Sequence, residues 1–347
     1  MADTAVQTAA GLKDTTLLDV RDLQVSFFTP VGEVKAVDGI SYSLNHGEVM
    51  GIVGESGSGK SVEAFSLMGI LESPGKVIGG TVTFDGQDLL GHTPKEMEKI
   101  RGDRISMIFQ NPMESLNPVY TIENQLIGVL RAHRSDITVA AARERALEML
   151  KLVGITNPER RMKQHPHELS GGMRQRVMIA MGLICEPQLL IADEPTTALD
   201  VTIQAQIIEL MKAIKEKTHM AIIFITHNLG VIAEICDTVS VMYGGHIVEQ
   251  GTVEDIFYHP NHPYTQGLLR SMPRLDEERS ERLIPIEGTP INMLEPNAGC
   301  PFAPRCEHCM KVCVRQNPQK TAISGSHHAS CWLLVKAKHG GTEGRHE

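Results

Sequence analysis

Three segments of this chain carry residues spaced for phosphate chemistry. The first, Gly54-Glu55-Ser56-Gly57-Ser58-Gly59-Lys60-Ser61, fits the phosphate-loop pattern G-x-x-x-x-G-K-[ST]. Its glycines let the backbone turn tightly and aim N–H groups at phosphate oxygens, an approach that side chains would block. The helix expected to follow adds partial positive charge at its N-terminus. Lys60 is then placed to reach the β- and γ-phosphates, and the Ser61 hydroxyl to ligate Mg2+. The second segment, Leu169-Ser170-Gly171-Gly172-Met173-Arg174-Gln175, is another set of backbone donors opening a helix. The third is an apolar run ending in Asp193-Glu194. A carboxylate closing a buried strand is costly to desolvate unless a cation faces it, and Mg2+ reached through a bound water supplies one for Asp193. Glu194, next along, would face the γ-phosphate as general base or as the group that orients the attacking water. Each segment alone has a plainer reading: a glycine turn, a helix start, a solvated acidic loop. Their order along one chain favours a nucleoside-triphosphate site.

The elements that must hold these residues are legible as well. Residues 49–53 form a continuous apolar run, as a strand buried on both faces requires, and feed straight into the phosphate loop. Residues 61–70 read as the following helix, and residues 189–192 and 221–225 as further buried strands. Residues 17–27 and 33–44, with a turn at Gly32, read as short strands of an antiparallel layer. Residues 79–84 and 105–109 add two more strands. From about 112 to 186 the pattern is helical: Val139, Ala142, Ala146, Leu150 and Val153 recur at three- and four-residue spacing, between a Thr138 cap and a Gly154 stop. A hairpin is expected at Gly244-Gly245. The class is α/β, a parallel core with an antiparallel layer and a helical insertion. Beyond Gly251 frequent prolines exclude long helices.

Bulk properties narrow the classes. At 347 residues with 41% apolar content, the chain can bury a large core. A formal charge of −9 argues against a nucleic-acid groove. No apolar run approaches the roughly 20 residues of a membrane helix, so any membrane pore belongs to other chains. Residues 1–16 lack the charged start and apolar centre of a signal peptide, so a disordered tail and a cytoplasmic chain are expected. Cys185 and Cys236 sit alone in apolar segments as buried thiols. Cys300, Cys306, Cys309, Cys313 and Cys331 crowd the end of the chain, where a reducing compartment favours a metal site over disulfides.

The ordered motifs, with LSGGMRQ before the acidic strand, resemble those of ATP-binding-cassette (ABC) ATPases. The resemblance implies a P-loop ABC ATPase with a RecA-like parallel core, binding ATP and Mg2+. It implies that the Ser170-Gly171-Gly172 segment with Gln175 faces ATP held by an opposing subunit, so that dimerisation is part of the chemistry. Gln110, in Phe109-Gln110-Asn111-Pro112, resembles the Q-loop glutamine that contacts Mg2+ and water and links to a membrane partner. Ala198-Leu199-Asp200 resembles the D-loop at the dimer interface, and His227 the switch histidine on the γ-phosphate. Asn111 and Asn228 stand where the family often has Asp, near-isosteric changes that remove a charge. Phe27 and Phe28 are both candidates for the aromatic that stacks on adenine.

Within that superfamily, residues 107–118, 169–178, 190–208 and 262–269 resemble the ATPases of oligopeptide and dipeptide importers, and the D type more than the F type. The organisation implied is a tail over 1–16, an ABC ATPase domain over 17–257 with its helical subdomain at about 112–186, a C-terminal extension over 258–335, and a tail over 336–347. The partners implied are a separate F-type ATPase as heterodimer, two transmembrane permease subunits and an extracytoplasmic solute-binding protein, with the chain peripheral on the cytoplasmic face of the inner membrane. Importers of nickel, glutathione or another solute share the design, and a soluble non-transport ABC ATPase is a further rival. Cys300, Cys306, Cys313 and Cys331 are similar in spacing to the four-thiolate [4Fe–4S] site of some members. Cys306-x2-Cys309 with His308, His327 and His328 keeps zinc as an alternative.

Overall fold

The computed structural model describes residues 16–111, 115–196, 200–272, 285–294, 296 and 298–339. Of the tails expected over 1–16 and 336–347, residues 1–15 and 340–347 lie outside these residues.

The parallel core forms where the apolar runs placed it. Strands β3 (Val49–Val53), β6 (Ile105–Ile108), β7 (Leu189–Asp193) and β8 (Ala221–Thr226) are buried at every residue. With β9 (Thr238–Tyr243) they pair in parallel in the order β9-β3-β8-β7-β6. Strand β10 (His246–Thr252) turns back antiparallel on β9 through Gly244 and Gly245, both at positive φ as the hairpin requires. Side chains alternate across this sheet. Met50, Ile52, Ile105, Ile191 and Ile223 face an antiparallel layer; Val49, Val53, Ile108, Leu190 and Phe224 face the helices.

That antiparallel layer is built from β1 (Thr16–Thr29), β2 (Gly32–Asn45), β4 (Gly75–Phe84) and β5 (Gln87–Asp88), in the order β2-β1-β4-β5. Its first two strands are longer than expected, because register shifts beside Asp22, at φ 48°, let β1 continue past an irregular pairing. Thr16, placed in the tail by the sequence, already belongs to β1.

The helical part between phosphate loop and acidic strand comprises Ile122–His133, Val139–Leu152, Pro158–Arg161 and Gly171–Leu183. Thr138 caps the second by accepting from Ala141 N at 3.2 Å, and Gly154 beyond it takes positive φ. Leu126, Leu130, Ala146 and Leu150 share one apolar cluster with Ile108 and Leu190 of the sheet.

The proline-rich C-terminal segment differs most from expectation. Prolines that exclude long helices favour an irregular segment with little core of its own. Instead Tyr264, Phe302, Ala303, Cys300 and Cys313 join the main apolar cluster. Two short strands, β11 (Thr321–Ala322) and β12 (His328–Ala329), extend the core sheet beyond β10. The last helix, Trp332–His339, continues past residue 335, where a tail was expected to begin.

Candidate functional site

Because β3, β6, β7 and β8 run parallel, their carboxyl ends share one edge, and the chemistry-bearing residues follow directly from those ends. The phosphate loop leaves β3, Gln110 lies just beyond β6, Asp193 ends β7 with Glu194 after it, and His227 follows β8.

The loop folds as its glycines permit. Gly59 stands at φ 104°, and a Cβ there would lie 2.4 Å from Ala36 O. At Gly57, φ 78°, a Cβ would meet nothing within 4 Å, so the loop is open on that side. The helix Lys60–Met68 starts at Gly59 without a side-chain cap, which leaves its first N–H groups for an anion. Lys60 is buried, and its Nζ donates to Gly54 O at 2.8 Å, Glu55 O at 2.9 Å and Ser58 Oγ at 3.3 Å. Burial lowers its pKa, against the pull of Glu194, Asp193 and Glu55. Ser56 and Gly57 are exposed, while Ser58 is buried.

Asp193 is buried, and burial raises its pKa, with the Ser61 hydroxyl bond and Lys60 acting the other way. Its Oδ1 is buried with no protein partner among the described residues. A carboxylate bonded to a hydroxyl, with a second oxygen lacking a donor, fits a divalent cation at Ser61 and Asp193. Glu194 takes φ 44°, a left-handed conformation that costs a non-glycine residue about 1 kcal/mol or more, and its N–H is anchored on Ile225 O at 2.9 Å. Gln110 Nε2 donates to Glu194 Oε2 at 2.7 Å, and His227 Nδ1 stands 3.1 Å from Oε1. The Gln110 amide thus holds Glu194 at the strand ends. Pro112 of the same motif lies outside the described residues.

The second donor set is elsewhere. Ser170 caps the helix Gly171–Leu183, its Oγ accepting from Met173 N at 3.4 Å, and both Ser170 and Gly171 are exposed. Gly172 packs against Ile203 of the helix Val201–Thr218, which Asp200 caps by accepting from Ile203 N at 2.9 Å. These two motifs therefore meet at Gly172 and Ile203, with their caps Ser170 and Asp200 both exposed. Gln175 is buried and donates to Pro195 O just after Glu194. Ala198 and Leu199 lie outside the described residues. Of the two candidate stacking aromatics, Phe27 packs against Gly75 and Phe28 is exposed.

The family model for ABC transporters matches residues 37–197, and that for the oligopeptide/dipeptide transporter C-terminal region matches residues 248–313. The dipeptide transport ATP-binding protein DppD of Bacillus subtilis is 55% identical over 318 residues, covering 91% of this chain and 94% of its own. The chain belongs to the ATP-binding subunits of oligopeptide and dipeptide transporters. The oligopeptide transport ATP-binding protein OppD of Escherichia coli, 52% identical over 93% of this chain and 95% of its own, is a further member of that family. The ABC ATPase fold is shared with the solved ATP-binding cassette MJ0796, described as dimeric and bound to ADP and Pi, at a TM-score of 0.62 and 26% identity over 68% of this chain and 98% of that one. No helix among the described residues is long and apolar enough to cross a membrane.

The family's C-terminal region holds the cysteines. Cys300, Cys306, Cys313 and Cys331 line one small cavity together with His308, Phe302 and Trp332, whereas Cys309 is exposed, next to Cys313 but outside that lining. Burial, with the neighbouring thiols adding, pushes Cys300 up to about 12 and Cys306 up to about 11. All are free thiols, and among the described residues no three Cys, His, Asp or Glu side chains are arranged to hold an ion. His327 is not on the cavity; its Nε2 lies 2.8 Å from Glu249 Oε1, both buried.

Two connections had no counterpart in the sequence reading. Tyr42 donates to the buried Glu63 on the helix after the phosphate loop. Glu55 of the loop is held by Arg305 and Tyr264 from the C-terminal segment. Tyr264 belongs to the recognised stretch 262–269, which was a signal; the arginine carried none.

Proposed function

We propose that the chain hydrolyses ATP to energise the import of oligopeptides or dipeptides across the cytoplasmic membrane. The observation that carries this is the clasped carboxylate of Glu194, set between Gln110 and His227 at the strand ends, beside the phosphate loop. Loop N–H groups and Lys60 would bind the β- and γ-phosphates. Ser61 and Asp193 would hold Mg2+, which neutralises phosphate charge. Glu194 would take a proton from the water whose oxygen attacks the γ-phosphorus as the bond to the β-phosphate oxygen breaks; His227 would support the developing charge. Most of the rate would come from charge stabilisation and placement. Phe28, being exposed, is the better candidate to stack on adenine.

The match of residues 248–313 to a peptide-transporter region supports peptide import over nickel or glutathione. The exposed Ser170 patch supports a second ATPase subunit, of F type, closing over this chain's site. Two permease subunits and an extracytoplasmic solute-binding protein complete the assembly, with this chain peripheral on the cytoplasmic face. The test is Glu194→Gln: ATPase turnover should fall at least a hundredfold while ATP binding persists. Turnover near the wild-type rate would remove Glu194 from the role of base.

We further infer that Cys300, Cys306, Cys313 and Cys331 would be the ligand set of a [4Fe–4S] cluster with a structural role, supported by their lining one cavity that Cys309 does not line. Zinc is the competing occupant, and metal with sulfide analysis decides between them.

A further inference from the structure

Glu55, the second residue of the phosphate loop, is bound to the far end of the chain by its side chain and its backbone. Arg305 Nη1 donates to Glu55 Oε2 at 2.6 Å and Nη2 to Oε1 at 3.0 Å, a two-pronged pair across 250 residues of sequence. The Glu55 N–H donates to the Tyr264 hydroxyl at 2.8 Å. Its carbonyl oxygen accepts from Lys60 Nζ. The residue that steadies the loop's ammonium group is thus itself steadied by the C-terminal segment.

The arginine is built in rather than draped over the surface. Its side chain is only 4% exposed, against 26% for Glu55. The rest of the guanidinium is used locally: Nε donates to Glu287 O at 2.9 Å, Nη2 to Ile286 O at 3.1 Å, and Nη1 to the Tyr243 hydroxyl at 3.3 Å. Tyr243 also packs on Tyr264, with ring centroids 4.6 Å apart, and on Phe302 at 5.2 Å. A planar fork with every N–H direction engaged has one orientation, which a lysine cannot reproduce. Exposed ion pairs contribute little, but a buried fork whose partner lies in a ligand loop fixes that loop's geometry.

We propose that Arg305, assisted by Tyr264, is a positioning residue for the phosphate loop: it holds Glu55 so that the loop is ordered for ATP before ATP arrives. The proposal rests on residues 54–61 being the ATP site. An ordered loop binds ground state and transition state alike, so loss of Arg305 weakens ATP binding and spares the chemical step. A contact that merely docks the C-terminal segment would lower thermal stability and leave nucleotide affinity alone.

The experiment uses the full chain in its transporter complex and measures ATP binding, KM for ATP and kcat. Arg305→Ala should raise KM about tenfold with kcat within about twofold, and Arg305→Lys, which keeps the charge and loses the fork, should raise it severalfold. Glu55→Gln should match Arg305→Ala, and the double variant should be no worse than the poorer single one, since both break one contact. An unchanged KM in Arg305→Ala with a lower Tm, or single effects that add, would overturn the proposal. Should Arg305→Ala fail to fold, Glu55→Gln decides alone, because it leaves the arginine and its other partners in place. Lys60→Ala separates the two readings: ATP binding at the wild-type level in that variant would show that the loop is not the ATP site.

Discussion

Glu63 sits one turn beyond Lys60 on the helix that opens at the phosphate loop, fully buried, with the Tyr42 hydroxyl donating to one carboxylate oxygen and the other oxygen without a partner among the described residues. Burial raises its pKa to about 8, opposed by the Tyr42 bond and reinforced by the charge of Asp193. The folded state therefore keeps a proton that the unfolded chain, with an ordinary carboxyl pKa, releases. Stability from this group is full below the ordinary carboxyl range and declines as pH rises through about 8. The decline is at most about 1.4 kcal/mol per pH unit. Glu63→Gln, neutral at every pH and still able to accept from Tyr42, should be more stable than the wild-type protein at about pH 8.5. The difference should shrink toward about pH 5, as read by urea unfolding across that range. A difference independent of pH would show that Glu63 does not titrate in the folded protein. Asp193 is raised in the same direction by burial, but the Ser61 hydroxyl bond and the charge of Lys60 oppose the rise.

At the scale of elements, what the sequence made legible is what physical chemistry makes local. Strands β3, β7 and β8 are buried on both faces, so each had to be a continuous apolar run. The helix caps Thr138 and Ser170 sit where their side chains can accept from N–H groups three residues on. The site motifs were legible because glycine, lysine and paired carboxylates at fixed spacing have few other uses. What stayed hidden is non-local. Two-residue strands β11 and β12 have no periodicity to read, and the meeting of Arg305 with Glu55 depends on how a proline-rich segment returns across the sheet edge. The gathering of four cysteines was legible in composition, yet their use depends on a cavity that only the folded segment creates. Because Cys300 and Cys313 belong to the main apolar cluster, the segment does not rest on a cross-link alone. If the four thiolates hold the proposed cluster, anaerobically purified protein should contain iron and sulfide with a broad visible absorption. Cys306→Ser should abolish that absorption while keeping a folded chain that still binds ATP. Zinc, or no metal, would reject the cluster and leave the ATPase reading untouched.

At the scale of the whole molecule, the phosphate loop lies at the strand ends, while the exposed helix start at Ser170 makes no hydrogen bond to it among those described. On the proposed pairing with a second ATPase subunit, a single chain would hold parts of two sites and complete neither. The helix starting at Ser170 has its N-terminal dipole directed outward, and the adjoining helix capped by Asp200 widens the same surface. If an opposing subunit supplies the γ-phosphate that this patch recognises, a bulky charge there acts across the interface and not within the chain. Ser170→Arg should leave ATP binding to the isolated chain within about twofold, since no loop contact changes. In the assembled transporter it should reduce hydrolysis at the partner's site by at least about tenfold, because closure is blocked. The decisive comparison mixes the Ser170→Arg chain with a partner whose own phosphate-loop lysine is intact or removed. Loss of the partner's activity alone supports a shared site; loss of ATP binding by the isolated variant would mean that the Ser170 patch belongs to the chain's own pocket, and that the two faces described above are one.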